Sequence, residues 1–133
     1  MGKIAIPSGN ETLYFEPDEI ICMKGSSCYT HIYVTDAGSP NGFKKILAAY
    51  TLKFFEQLVK QYAFMRVSKY WIAGLKHVCS ITKSNVIYLR IKCCTGIDLS
   101  PKFRQEFARR MTYAFALLLN LQIWLPDSFD FVC

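Results

Sequence analysis

Residues 28–35 read Cys-Tyr-Thr-His-Ile-Tyr-Val-Thr, a run so rich in aromatic and β-branched side chains that a strand is the conformation it fits best. The next seven residues, Asp36-Ala37-Gly38-Ser39-Pro40-Asn41-Gly42, carry three separate turn signals, and residues 43–49 resume the strand pattern. Strand, turn and returning strand make a hairpin. An isolated hairpin is marginal in water, so other elements must cover it.

Short strands are predicted at 3–6, 11–15, 20–23, 64–67, 70–72, 78–82 and 86–91. Turns are expected at Pro7-Ser8-Gly9-Asn10 and Ser84-Asn85, and a chain break at Glu16-Pro17-Asp18-Glu19. The period changes after Thr51, a capping residue, where Leu52, Phe55, Leu58 and Val59 repeat at helical spacing. Near the end, Ser100 is a cap candidate and Pro101 suits a first helical position. Phe103, Phe107, Met111, Phe115 and Leu118 then form an apolar stripe that predicts one long C-terminal helix. The reading is a mainly β fold of small antiparallel sheets with short helices and a C-terminal helix. A length of 133 residues, 52% of them hydrophobic, suits one domain closing one core.

Charge is unevenly placed. Residues 1–62 hold six lysines against six acids, whereas residues 63–110 hold ten lysines or arginines against Asp98 and Glu106. A basic block confined to one stretch is the footprint expected for a phosphate-bearing partner, although a solvated basic face reads the same way.

Other function classes find little support. There is no Gly-rich phosphate loop, no G-x-S-x-G elbow and no H-E-x-x-H, so no enzyme activity, small-molecule substrate or cofactor is expected. Cys28 and His31 are three apart on a strand, which turns them to opposite faces. The six cysteines include no C-x-x-C pair and the two histidines have no ligand-like spacing, so no metal site is expected. Cys22 and Cys79 read as small core residues within strands. The first residues have no apolar signal region and no apolar run is long enough to span a bilayer; the expectation is a cytoplasmic protein with reduced thiols and no membrane insertion.

The basic block also contains an ordered motif. Phe64-Met65-Arg66-Val67-Ser68-Lys69-Tyr70-Trp71-Ile72-Ala73-Gly74-Leu75-Lys76-His77-Val78 resembles the central signature of the LytTR family, Phe-x-Arg-Val-His-Arg-Ser-aromatic-aliphatic-Val-Asn-x-x-His-Ile. Upstream, Ile20-Ile21-Cys22-Met23, Tyr29-Thr30-His31-Ile32-Tyr33 and residues 47–58 are similar to family segments; downstream, Ile97-Asp98-Leu99-Ser100-Pro101-Lys102-Phe103-Arg104 is similar to its closing strand. The resemblance covers roughly residues 3–110 and implies a LytTR-like DNA-binding domain over residues 1–110, with residues 101–133 as its C-terminal helix and tail extension.

That resemblance implies a sequence-specific double-stranded DNA-binding transcriptional regulator, of the response-regulator output type found in two-component systems. By position, the family's DNA contacts fall on Lys24, Ser26, Ser27 and Tyr29, on Ser68 and Lys69, and on Ser100 and Lys102. The chain departs from the pattern with Ser68-Lys69-Tyr70 for His-Arg-Ser, Gly74 for Asn and Pro101 for the first closing Arg. A lysine ammonium cannot grip a base edge as a forked guanidinium does, so these changes bear on base reading more than on phosphate contact. Arg66, inside a strand, reads as a structural pairing residue, and Tyr70 and Trp71 as core or strand-face aromatics. The apolar surplus from Phe107 to Trp124 suggests a homodimer contact through the C-terminal helix. The alternative is a protein-interaction module with a LytTR-like fold and weak nonspecific DNA binding.

Overall fold

The structure is a computed structural model and describes residues 2–112. Strand β1 (Ile4–Ser8) pairs antiparallel with β2 (Glu11–Phe15), with Ser8 opposite Glu11, so only Gly9 and Asn10 form the turn. Gly9 adopts φ 60, a region that costs glycine little. Pro7 and Ser8, expected in the turn, instead stay in the strand, where a two-stranded edge tolerates the missing N–H. The expected break at residues 16–19 is a 3-10 turn, Pro17–Glu19, whose Glu19 carboxylate accepts the Glu16 N–H at 2.8 Å.

A five-stranded antiparallel sheet follows: β3 (Ile20–Ser26), β4 (Tyr29–Thr35), β5 (Phe43–Ala48), β6 (Phe64–Arg66) and β7 (Trp71–Gly74), in the order β5-β4-β3-β7-β6. Between β5 and β6 lies α1 (Leu52–Leu58), where the Thr51 hydroxyl accepts the Phe54 N–H at 3.2 Å, the cap the sequence called for. The β3–β4 register shifts between Ile20 and Cys22. This bulge breaks the alternation of side chains: Ile20 and Met23 enter one core, while Ile21 and Cys22 enter another. Gly74 accommodates it, since a Cβ there would stand 2.7 Å from the Ile21 carbonyl oxygen and 2.9 Å from that of Ile20.

A second sheet has the order β10-β9-β8, built from β8 (Val78–Ile81), β9 (Val86–Leu89) and β10 (Ile97–Asp98). Asn85, with φ 64, makes the expected turn between β8 and β9. The last described helix, α2 (Arg104–Met111), starts behind a 3-10 turn, Pro101–Phe103. Ser100 stands at the N-cap of that turn but makes no side-chain capping bond, so the cap predicted there is positional only. Phe115 and Leu118 of the predicted long helix lie outside the described residues.

Composition suggested one core, but the central sheet separates two. β1, β2 and α1 close the first around Ile6, Ile20, Ile32 and Phe55; β8–β10 and α2 close the second around Ile21, Val67, Ile87 and Phe107. Phe107 is 2% exposed, which removes it from the predicted dimer contact; residues 113–124 of that contact lie outside the described residues. Among the described residues no helix is long and apolar enough to cross a membrane.

Candidate nucleic-acid interface

The β6–β7 turn, Val67-Ser68-Lys69-Tyr70, is held from within. The Val67 N–H donates to the Trp71 carbonyl at 3.0 Å, and the Ser68 hydroxyl accepts the Tyr70 N–H at 3.3 Å. Arg66 donates to the carbonyls of Ser68 (2.9 Å) and Lys69 (2.6 Å) and pairs with Glu56 at 2.9 Å. A planar guanidinium with several fixed donors suits this role, and it makes Arg66 the structural residue the sequence suggested.

Two backbone bonds join this turn to the other predicted contact segments. The Gly25 N–H donates to the Tyr70 carbonyl at 2.8 Å, which sets the turn beside the β3–β4 hairpin end. The Ser100 N–H donates to the Val67 carbonyl at 2.9 Å, which sets the Ser100 segment on its other side. Segments far apart in sequence thus form one rim.

Lys69, Ser100 and Lys102 line a single recess together with Glu56, Arg66 and Phe103. Lys24, Ser26, Ser27 and Tyr29 lie outside that recess, on the exposed hairpin end reached through the Gly25–Tyr70 bond. Ser27 has φ 57, an uncommon conformation for a residue other than glycine or asparagine. Ser68 is only 9% exposed and its hydroxyl is already engaged, so it shapes the turn more than it reaches outward. Tyr70, predicted as a core or strand-face aromatic, is instead 53% exposed in the turn.

Each predicted lysine rests over an aromatic ring: Lys24 over Trp71 (5.5 Å to the centroid), Lys69 over Tyr70 (5.5 Å) and Lys102 over Phe103 (5.4 Å). A ring face orders an ammonium without neutralising it, at about 0.5–1 kcal/mol in exposed positions. The charge therefore stays available to a phosphate.

The basic block divides in a way its sequence did not show. Arg66 pairs with Glu56, Lys76 with Asp18 at 3.0 Å and Arg109 with Glu106; Arg110 donates to the carbonyls of Phe64 and Tyr62, and Arg104 to that of Leu99. Five of the ten cations are thus engaged within the chain, Lys76 and Arg109 only in exposed ion pairs. Lys69, Lys83, Arg90, Lys92 and Lys102 make no side-chain hydrogen bond or ion pair among the described residues.

On the same sheet face, His31 stands opposite Lys24, and its Nδ1 is buried without a hydrogen-bond partner among the described residues. Burial, then the charges of Lys45 and Lys24, hold its pKa below the ordinary value. Further along this face, Cys22 meets Cys93 and Cys94, the one grouping among the described residues with the donor atoms for a metal. Sequence spacing concealed it, because Cys22 and Cys93 are 71 residues apart. Cys79, predicted as a core residue with a reduced thiol, is instead half-buried and disulfide-bonded.

A family model described as LytTr DNA-binding domain matches residues 10–112. Among solved structures, the chain resembles the LytTr DNA-binding domain of a Bacillus cereus protein described as a methyl-accepting/DNA response regulator, with a TM-score of 0.61 and 12% identity over 84% of this chain and 97% of that one. At that identity the likeness concerns the fold. No curated protein matches the chain.

Proposed function

The chain belongs to the LytTr DNA-binding domain family, a family of DNA-binding rather than enzymatic modules, and from that premise we propose that it binds double-stranded DNA sequence-specifically as the output domain of a cytoplasmic transcriptional regulator. The DNA-binding unit is residues 1–110, and residues 101–133 extend it. The contact surface is the rim formed by Lys24, Ser26, Ser27 and Tyr29, by Ser68 and Lys69, and by Ser100 and Lys102. The observation that carries this reading is the joining of three segments by the Gly25–Tyr70 and Ser100–Val67 bonds, each segment bearing an exposed lysine over an aromatic ring.

Such a rim suits DNA for physical reasons. Serine hydroxyls and lysine ammoniums donate to phosphate oxygens, and lysine also reaches the acceptor pair of guanine in the major groove. With Arg66 committed to backbone carbonyls, base reading falls to Lys69 and Lys102. A response-regulator setting is consistent with the description of the Bacillus cereus protein. The second reading, a protein-interaction module with weak nonspecific DNA binding, draws on the five cations already engaged within the chain. Pairing of two copies through residues 113–124 belongs to either reading.

Anisotropy titrations against a pool of genomic duplexes over a range of salt test the proposal. If Lys24, Lys69 and Lys102 each meet a phosphate, the logarithm of affinity falls with the logarithm of salt at a slope of about −2.7, and a subset of duplexes binds at least 1,000-fold (~10³) more tightly than the pool. Uniform weak binding to every duplex favours the interaction module.

A further inference from the structure

Cys22 lies in β3, and Cys93 and Cys94 lie in the connection between β9 and β10, yet their three Sγ atoms are within 4.8 Å of one another. Cys22 and Cys93 approach to 3.6 Å. The Cys93 N–H donates to the Ile91 carbonyl at 2.9 Å, a tight turn that brings two consecutive thiols toward the sheet. Cys22 is fully buried at the bulge, while Cys93 and Cys94 are half-buried, so the cluster is walled on one side and reachable from the other.

We propose that Cys22, Cys93 and Cys94 form a three-thiolate binding site for a thiophilic d10 cation, of the class of Cu⁺ and Zn²⁺.

Metal–sulfur bonds of about 2.3 Å place thiolates around one ion roughly 3.8–4.0 Å apart, close to the spacing already present. Sulfur donors select such soft or borderline ions over Mg²⁺ or Ca²⁺, which require oxygen. Among the described residues the cluster contains no histidine or carboxylate, so Cu⁺ is satisfied by three sulfurs and Zn²⁺ takes a water as fourth ligand. Each metal–sulfur bond formed from a thiol replaces an S–H bond whose proton passes to solvent, so binding strengthens as pH rises. The bound ion fastens the β9–β10 connection to β3 two residues from Lys24.

The test uses the intact chain with Cys22, Cys93 and Cys94 as free thiols. Cd²⁺ serves as a spectroscopic probe of thiolate ligation, and Zn²⁺ and Cu⁺ are each titrated against a competing chelator. One ion per chain is expected, with thiolate-to-metal charge-transfer absorption on adding Cd²⁺. Cys94→Ser and Cys93→Ser, both at half-buried positions, lower affinity by at least about 100-fold with unchanged circular dichroism, the upper range for a supporting residue and so the minimum for a ligand. Cys28→Ser, at the exposed hairpin tip, leaves affinity unchanged. Absence of stoichiometric uptake, uptake of Cd²⁺ with neither Zn²⁺ nor Cu⁺ retained, or equal affinities in the Cys94 and Cys28 variants overturns the proposal.

Discussion

The two faces of the central sheet are made by the same strands and differ in almost every other respect. Toward β1, β2 and α1 the strands present Ile20, Met23, Ile32, Val34, Ile46, Ala48 and Ile72, all apolar and buried. Toward the second sheet they present Ile21, Cys22 and Ala73 in the core, then Tyr33, Phe43 and Trp71 partly buried, with Lys24 and His31 beside them. Apart from Thr30, whose hydroxyl donates to the Tyr50 carbonyl, the first face only excludes water. The second excludes water only partway, and where burial stops it carries thiols, an imidazole and the start of the lysine rim. Adjacent residues on one strand thus belong to different trades, and substitution of neighbours should separate stability from binding.

The largest effect is expected for Ile32→Ala, a fully buried side chain on the first face, which should cost about 2–5 kcal/mol in denaturant unfolding. Tyr33→Ala, one residue on and half-buried on the second face, should cost clearly less; equal losses would break the asymmetry between faces. Next comes Arg66→Ala, which removes charged hydrogen bonds to two carbonyls and an ion pair with Glu56 and should lower stability by about 1.5–3 kcal/mol. Arg66→Lys recovers little, because one ammonium cannot span the same acceptors.

Lys69→Ala and Lys102→Ala should leave unfolding unchanged and weaken DNA binding by about 1–3 kcal/mol where the lysine reads a base, or uniformly across duplexes where it meets only phosphate. Lys53→Ala, exposed on α1 over the first face, is the contrast and should leave DNA binding intact; a loss equal to that of Lys69 would mean the rim is misplaced. The smallest effect concerns His31. Its folded pKa is depressed, so folding favours the neutral ring. The associated stability is complete above the unfolded pKa near 6.5 and is lost as pH falls through the lower folded value. An NMR titration should find the midpoint below 6.5, and Lys45→Ala should raise it; a midpoint insensitive to Lys45 rules out that charge as a cause.

Much of this arrangement was legible because period and turn chemistry are local. The residue 28–49 hairpin, the Thr51 cap and the Asn85 turn follow from neighbours in the chain and stand where those neighbours implied. The bulge at Ile21 was not legible, since Ile20-Ile21-Cys22-Met23 is apolar throughout and shows no period to interrupt. The sign of the basic block was readable, but which cations serve the fold depends on carbonyls up to 48 residues away. Two of the three lysine–aromatic pairs, Lys69-Tyr70 and Lys102-Phe103, are sequence neighbours; the third, Lys24 with Trp71, exists only through strand pairing. The thiol cluster escaped for the same reason, as motif spacing detects ligands on one turn and not across two sheets.

The register shift at Ile21 also sets how this protein tolerates changes of length. Removing Ile21 would restore strict alternation without moving its neighbours: Cys22 would stay opposite Tyr33 and Ile20 opposite Val34, each on the face it now occupies. Loss of the extra residue therefore subtracts one side chain from the second layer, whereas a deletion elsewhere in β3 shifts the side chains on one side of it to the opposite layer. A substitution at Cys22 or Lys24 alters the second layer while the hydrophobic residues of the first stay as they are. One extra residue in β3 thus gives the second layer an additional buried side chain, Ile21, without disturbing the register of the strand on either side.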